Sequence, residues 1–131
     1  MIYTSYYGNM NNLQKQGFHR RQFVGISLNN YSSIQTEEKL CVNPVDFLNY
    51  KYHQMEWSDY RLHYLDKLYN LPKVWLDNLF DLYDDCVFLC YEQDNTRCHR
   101  KILMDFLNWY YVNCKGFSIF ERGKGIICRE L

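Results

Sequence analysis

The sequence predicts an α/β fold in which a small, largely parallel sheet is flanked by helices, all within a single compact domain over residues 1–131. Three short apolar runs have the composition of strands. Amphipathic helical patterns separate the second run from the third and follow the third, and such alternation is typical of a parallel sheet covered by helices. The 131 residues, 47% of them hydrophobic and 23% charged, suit one globular domain.

The three apolar runs are predicted to be neighbouring strands of one sheet. Residues 2–7 and 23–28 are rich in β-branched and aromatic side chains, and each run ends at glycine or asparagine residues. Residues 86–91 are continuously apolar and are bounded by polar segments on both sides. Because this pattern is typical of a strand buried on both faces, the third run is predicted to be the central strand.

Helical periodicity accounts for most of the chain between and after these runs. Asn43 is predicted to cap a helix that begins at Pro44 and carries apolar residues at spacings of three and four as far as Met55. A second helix is predicted from Trp57 until Pro72 interrupts the pattern. Two more helices are predicted over residues 73–83 and 98–113.

The remaining segments carry weaker patterns. Residues 11–16 are polar and have the length of one helical turn, and residues 31–43 show no clear period and are predicted to be a loop. At the end of the chain, two apolar runs at 117–120 and 126–128 flank a glycine-rich charged segment. They predict either a hairpin or a loop followed by a final strand.

Composition limits the classes of function. The 15 basic and 15 acidic residues cancel, so no global positive field is available for strong nucleic-acid binding, and an anionic ligand must be captured locally. The 13 tyrosines, 8 phenylalanines and 3 tryptophans exceed the needs of a core of this size and indicate a recognition surface. No apolar run could span a bilayer and no signal peptide is visible, so we expect no membrane partner and a cytoplasmic location.

The amino-acid usage also indicates the source. The chain has no alanine and 12 asparagines, which points to an AT-rich genome such as that of a bacterium or its virus. If the source is viral, the expected location is the host cytoplasm.

The six cysteines are predicted to be free thiols, because no secretory signal is present and most of them lie in apolar runs. Zinc is the alternative, since Cys86, Cys90, Cys98 and His99 supply three thiols and an imidazole. The segment has no CxxC motif, however, and the adjacent Cys98 and His99 are not expected to point at one metal ion from the start of a helix. The sequence therefore predicts no metal and no cofactor.

The segment with the most chemistry joins the central strand to the last helix. Cys90 and Glu92 follow the strand, and the helix begins near Cys98, where free backbone N–H groups and the positive end of the helix dipole favour anions. Arg97 and Arg100 add donors suited to phosphate, and a helix N-terminus lowers the pKa of a nearby thiol. The tyrosine-phosphatase loop does not fit, because Arg97 comes one residue too late after Cys90 and the loop has no glycine.

Two motifs give the chain a family resemblance. Leu89-Cys90-Tyr91-Glu92 followed by Cys98-His99-Arg100 resembles the C-x-E and C-H-R signature of the family called domain of unknown function 488, and the first strand is similar to its short bacterial and viral form. The resemblance implies a compact α/β fold with a shared pocket. Asn29 stands where the family usually has a basic residue that faces the C-H-R helix, so the site has lost a positive charge.

Residues that follow the three strands are expected to meet the start of the last helix at the carboxyl edge of the sheet. The predicted ligand-binding residues are Tyr7, Asn9, Ser27, Asn29, Trp57, Tyr60, Cys90, Glu92, Arg97, Cys98 and Arg100. Among them, Arg100 is expected at the mouth of the pocket as the main contact for an anion, oriented by Glu92. For Trp57 and Tyr60, a place in the core is the alternative.

Three functions remain open at this point. The leading one is binding of a small phosphate-bearing ligand, a nucleotide or a nucleotide-derived signal, which a viral protein would sequester. The second is a cysteine-dependent enzyme acting on a nucleotide or nucleic-acid-derived substrate, with Cys98 as nucleophile and His99 or Glu92 as proton carrier. The third is a protein-interaction module with a tyrosine-rich face. The sequence does not predict an oligomeric state.

Overall fold

The computed structural model describes residues 1–28, 33–114 and 126–131, and its centre is a five-stranded sheet. The strands are β1 (Ile2–Tyr6), β2 (Phe23–Gly25), β3 (Gln35–Thr36), β4 (Val87–Cys90) and β5 (Cys128–Glu130). Their order across the sheet is β3-β2-β4-β1-β5, and every neighbouring pair is parallel. The predicted α/β class is therefore confirmed, and β1 and β2 lie on either side of β4 as the sequence predicts.

Within the described part of the chain, five α-helices connect and cover the strands. They are α1 (Met10–Lys15), α2 (Pro44–Lys51), α3 (Trp57–Tyr69), α4 (Lys73–Leu82) and α5 (His99–Cys114). Asn43 caps α2 as predicted, because its side-chain oxygen accepts hydrogen bonds from the N–H groups of Val45 (2.9 Å) and Asp46 (3.4 Å). Among the described residues, no helix is long and apolar enough to cross a membrane.

The central strand β4 is buried on both faces, which explains its continuous apolar sequence. Phe88 and Cys90 belong to the large core beneath α3, α4 and α5. Val87 and Leu89 belong to a smaller core on the opposite face, which α1 covers. Every residue of the strand is therefore in a core, as the sequence predicts.

Several boundaries differ from the prediction because backbone pairing rather than side-chain pattern sets them. The predicted loop at 31–43 contains β3, whose two exposed residues pair with β2 at the edge of the sheet. The second strand ends at Gly25, although the N–H of Ile26 still donates to the carbonyl of Leu89 (2.9 Å). The helix that Asn43 caps ends at Lys51, before the predicted Met55.

The chain ends in a strand, the second of the two predicted alternatives. This strand, β5, pairs in parallel with β1 and lies at Cys128–Glu130, two residues later than predicted. The apolar run at 117–120 lies outside the described residues. The Asn108 side chain fastens β5 to α5, because its oxygen accepts from the N–H groups of Ile127 and Cys128 (2.9 Å each) and its nitrogen donates to the Cys128 carbonyl (2.8 Å).

We predict that Asn108→Ala lowers the free energy of unfolding by about 1–3 kcal/mol, because it leaves partly buried main-chain groups of β5 without partners. Urea unfolding monitored by circular dichroism measures the change. Asn113→Ala is the matched control, since the Asn113 side chain makes an exposed hydrogen bond within α5, to the Trp109 carbonyl. Equal stability of the two variants would contradict a structural role for Asn108.

Candidate functional site

The start of α5 faces the carboxyl end of β4, and five of the predicted residues meet there. They are Cys90, Glu92, Cys98, His99 and Arg100. The strand delivers Cys90 as its last residue, and α5 begins one residue after Cys98. The topology therefore brings the end of β4 to the start of α5, as the sequence predicts.

The two thiols of this site lie against each other. Cys90 Sγ and Cys98 Sγ are 2.8 Å apart, and both side chains are buried. The hydrogen bond with Cys90 and the burial of the thiol, together with the charge of nearby Glu92, raise the pKa of Cys98. The expectation that the helix N-terminus lowers the pKa of Cys98 is wrong, because these opposing effects are larger.

His99 is held in one orientation beneath the thiols. Its Nε2–H donates to the carbonyl of Ile26 (2.7 Å), an acceptor only, so Nδ1 carries the lone pair. Nδ1 lies 3.9 Å from Cys98 Sγ. The ring is only 7% exposed, and this burial lowers the pKa of His99, so the imidazole is neutral at pH 7.

The Glu92 side chain connects the buried thiols to the surface. Its Oε2 lies 3.3 Å from Cys98 Sγ, and the residue as a whole is exposed. Burial of the carboxyl acts to raise its pKa, but hydrogen bonds from its own N–H and from the Cys98 and Cys90 thiols outweigh this effect. The pKa of Glu92 therefore lies below its ordinary value, and the group is a carboxylate at neutral pH.

Arg100 does not lie at a pocket mouth, and this part of the prediction is wrong. Its side chain is 0% exposed. Its guanidinium donates to Glu130 Oε1 (2.9 Å), to Cys90 Sγ (2.9 Å), to the Gln93 carbonyl (2.8 Å) and to the Glu92 carbonyl. Glu92 therefore contacts Arg100 through its main chain, and the donors expected to hold an anion are used inside the protein.

A pocket of about 440 Å³ opens beside this group of residues. Six of the side chains that line it are Ser27, Phe47, Lys51, Tyr91, Glu92 and His99. The wall formed by Phe47 and Lys51 belongs to α2, which has no buried residue. The sequence predicts the helix but not this wall, because its apolar periodicity carries no signal that separates a pocket wall from a core face.

Three other predicted residues, Tyr7, Asn9 and Arg97, are not among those that line the pocket. Tyr7 is buried and contacts the Tyr91 ring, with 4.5 Å between ring centroids. Asn9 donates to Ser5 Oγ (3.0 Å). Arg97 is exposed. Asn29 lies outside the described residues.

Trp57 and Tyr60 are separated from the predicted site. Tyr60 is buried in the large core, which confirms the alternative for this residue. Trp57 lines a different groove of about 350 Å³ between α3 and α5, together with Arg61, Lys101 and Trp109. Neither residue lines the pocket beside His99.

The argument that Cys98 and His99 cannot face one metal ion is wrong. One ligand atom each from Cys90, Cys98 and His99 lies within 4.8 Å of the others. The turn that begins α5 allows this, since Cys98 precedes the helix and His99 is its first residue. Cys86, the third thiol of the sequence motif, precedes β4 at the other end of the strand.

Comparison with known proteins gives one match. A family model described as the active DUF488-N3 subclade (DUF488-N3a) matches residues 39–110. The matched range contains both the C-x-E and the C-H-R segments, whereas β1, β2 and β3 precede it. No curated protein and no solved structure shows significant similarity to the chain.

We predict that Arg100→Ala lowers the free energy of unfolding by about 3–5 kcal/mol, because Glu130 and two carbonyl groups lose the cation that donates hydrogen bonds to them. Arg100→Lys should recover only part of the loss, since an ammonium group lacks the forked donors. Chemical unfolding at pH 7 measures both. Exposed Arg97→Ala is the control and should cost less than about 0.5 kcal/mol; an Arg100→Ala variant as stable as this control would refute the structural role.

We predict that stability falls as the pH drops below about 6.5, the ordinary pKa of histidine, and that His99 contributes to the fall. The unfolded chain binds a proton at His99 in this range while the folded chain does not, so protons favour unfolding. Urea titrations between pH 7.5 and 5.5 should show a smaller slope for His99→Gln than for the wild type. His53→Asn, at an exposed turn, controls for the loss of a histidine; an unchanged slope in His99→Gln would contradict the prediction.

Proposed function

The chain belongs to the DUF488 family, since the subclade model covers 72 of its 131 residues, and from its pocket we propose that it binds a small phosphate-bearing ligand of the nucleotide class. The observation that carries the proposal is the pocket of about 440 Å³ at the carboxyl edge of β2 and β4. Its volume is in the range that holds a small ligand. Its position is the one at which open α/β sheets bind their ligands.

The walls of the pocket suit a planar ring. Phe47 and Leu48 on α2 are 40% and 49% exposed, although they are large apolar side chains. They contribute to the lining together with Tyr91, which is itself half exposed. Aromatic and apolar faces of this kind stack on a nucleobase without a strong sequence preference.

The polar groups of the pocket suit two different parts of a nucleotide. Ser27 and the Glu92 carboxylate suit ribose hydroxyls or a base amino group, because both accept hydrogen bonds. Lys51 supplies the positive charge for phosphate. Within the described residues Lys51 takes part in no ion pair, so its ammonium group is not committed to a carboxylate there.

A cysteine-dependent enzyme is the second candidate. It is supported by the 3.3 Å distance from Cys98 Sγ to the pocket-lining Glu92 and by the description of the matched subclade as active. Binding without turnover has better support, because the Cys98 thiol is only 2% exposed and its raised pKa keeps it protonated. A binder of this kind would sequester its ligand in the cytoplasm, the role proposed above for a viral protein.

We predict that Phe47→Ala weakens nucleotide binding by about tenfold, because base stacking contributes about 1–3 kcal/mol. Lys51→Ala should weaken nucleotides but leave nucleosides unaffected, since it removes only the contact to phosphate. Titration calorimetry with mono-, di- and cyclic nucleotides and with the matching nucleosides measures both effects. Leu82→Ala and Lys15→Ala, exposed on α4 and α1, are matched controls.

Two results would overturn the proposal. The first is the absence of nucleotide binding by the wild-type protein, which would favour the protein-interaction module. Consumption of a bound nucleotide that stops in Cys98→Ser would establish the enzyme instead, and labelling of Cys98 by iodoacetamide below pH 8, ahead of the other five cysteines, would point the same way.

A further inference from the structure

Two thiols and an imidazole lie together beside the pocket. Binding of an organic ligand does not require this combination of side chains. Cys90, Cys98 and His99 are all buried, and their ligand atoms lie within 4.8 Å of one another. Two thiols and an imidazole are the donor set that borderline transition-metal ions such as Zn²⁺ prefer. We propose that Cys90, Cys98 and His99 bind a divalent transition-metal ion, with Zn²⁺ as the expected ion and Glu92 as the fourth ligand.

The orientation of His99 supports this proposal. The hydrogen bond from Nε2 to the Ile26 carbonyl leaves the Nδ1 lone pair on the side of Cys98 Sγ. Metal-binding histidines have this arrangement, in which the ring nitrogen that does not bind the ion donates to a carbonyl or carboxylate. The imidazole is therefore oriented for binding through Nδ1 before any ion arrives.

The hydrogen bonds to the two sulfur atoms also support metal binding. The guanidinium of Arg100 donates to Cys90 Sγ (2.9 Å) and also to Cys98 Sγ (3.7 Å). Donors aimed at sulfur stabilise thiolate, the form of cysteine that binds metal. Each sulfur already has such a donor.

Metal binding leaves the net charge of the site unchanged. With both thiols protonated, the carboxylates of Glu92 and Glu130 carry two negative charges and Arg100 carries one positive charge. A divalent ion that replaces the two thiol protons adds two positive charges, and the two thiolates that form add two negative charges. Binding from the thiol form releases the two thiol protons to solvent, so affinity should rise with pH.

The distances require a small adjustment. A tetrahedral ion with Zn–S bonds of ~2.3 Å and Zn–N bonds of ~2.0 Å separates two sulfurs by ~3.8 Å and a sulfur from a nitrogen by ~3.5 Å. Cys98 Sγ lies 3.9 Å from His99 Nδ1, close to this value. The two sulfurs, 2.8 Å apart, must separate by about 1 Å.

Cobalt titration tests the site and needs no nucleotide, so its outcome is independent of the proposed function. The full chain is purified under reducing conditions, treated with a chelator and titrated with Co²⁺. We expect about one Co²⁺ per chain, visible absorption typical of a tetrahedral ion, and sulfur-to-cobalt charge-transfer absorption in the near ultraviolet. One equivalent of Zn²⁺ should remove both signals and raise the melting temperature.

Variants assign the ligands. Cys90→Ser, Cys98→Ser and His99→Gln should each weaken binding at least tenfold, whereas Cys86→Ser and Cys114→Ser, whose thiols lie outside the cluster, should bind as the wild type does. Glu92→Gln changes an exposed side chain, so it tests the fourth ligand even if the core variants do not fold. We expect it to weaken Co²⁺ binding and to change the visible spectrum.

Three results would overturn the proposal. The first is no Co²⁺ or Zn²⁺ binding by the reduced wild type at micromolar concentration. The second is an unchanged charge-transfer band in Cys98→Ser. The third is a disulfide between Cys90 and Cys98, detected by peptide mapping in protein isolated from cells without added oxidant. Such a disulfide removes both thiolates.

Discussion

The carboxyl edge of the sheet depends on one buried cation, the guanidinium of Arg100. An arginine that is 0% exposed must have its donors satisfied within the protein, because an uncompensated buried charge is strongly destabilising. Arg100 meets this requirement with groups from the end of β4, from the loop after it and from β5. Its partner Glu130 is in turn held by Thr4 of β1 (2.5 Å). One charge therefore joins three strands of the sheet to α5.

This arrangement also decides which residues are left to bind a ligand. The main-chain carbonyls of Glu92 and Gln93 turn inward to Arg100, and the Glu92 side chain lies beside Cys98. The arginine with the best forked donors is thereby removed from the pocket. Among the described residues that line the pocket, Lys51 of α2 is the one with a permanently charged basic side chain, so the wall formed by α2 matters more for an anionic ligand than the C-H-R motif suggests.

The sequence was sufficient for the fold class and for the meeting of Cys90, Glu92 and Cys98 at the start of α5, but not for the pocket wall or for the roles of the residues that meet there. The apolar run of β4 and the Asn43 cap predict their elements correctly, because burial and capping leave local signals. Arg100 was misplaced because its partner Glu130 is 30 residues away, in a short strand whose pairing the sequence does not reveal. The convergence of Cys98 and His99 was missed for a related reason, since the carbonyl that orients the ring by accepting its Nε2–H belongs to Ile26, 73 residues earlier.

Glu92 links the two proposed sites, and the sign of the link follows from the carboxylate that both would use. A divalent ion bound between Cys90, Cys98 and His99 replaces the two thiol protons, so it leaves the net charge of these groups unchanged and does not by itself attract a phosphate. The ion would take the Glu92 carboxylate as its fourth ligand, whereas a nucleotide would use the same carboxylate as a hydrogen-bond acceptor. The two would therefore compete for Glu92, and the nucleotide would bind more weakly to the metal-loaded chain. By linkage, the nucleotide would lower the affinity for the metal by the same factor.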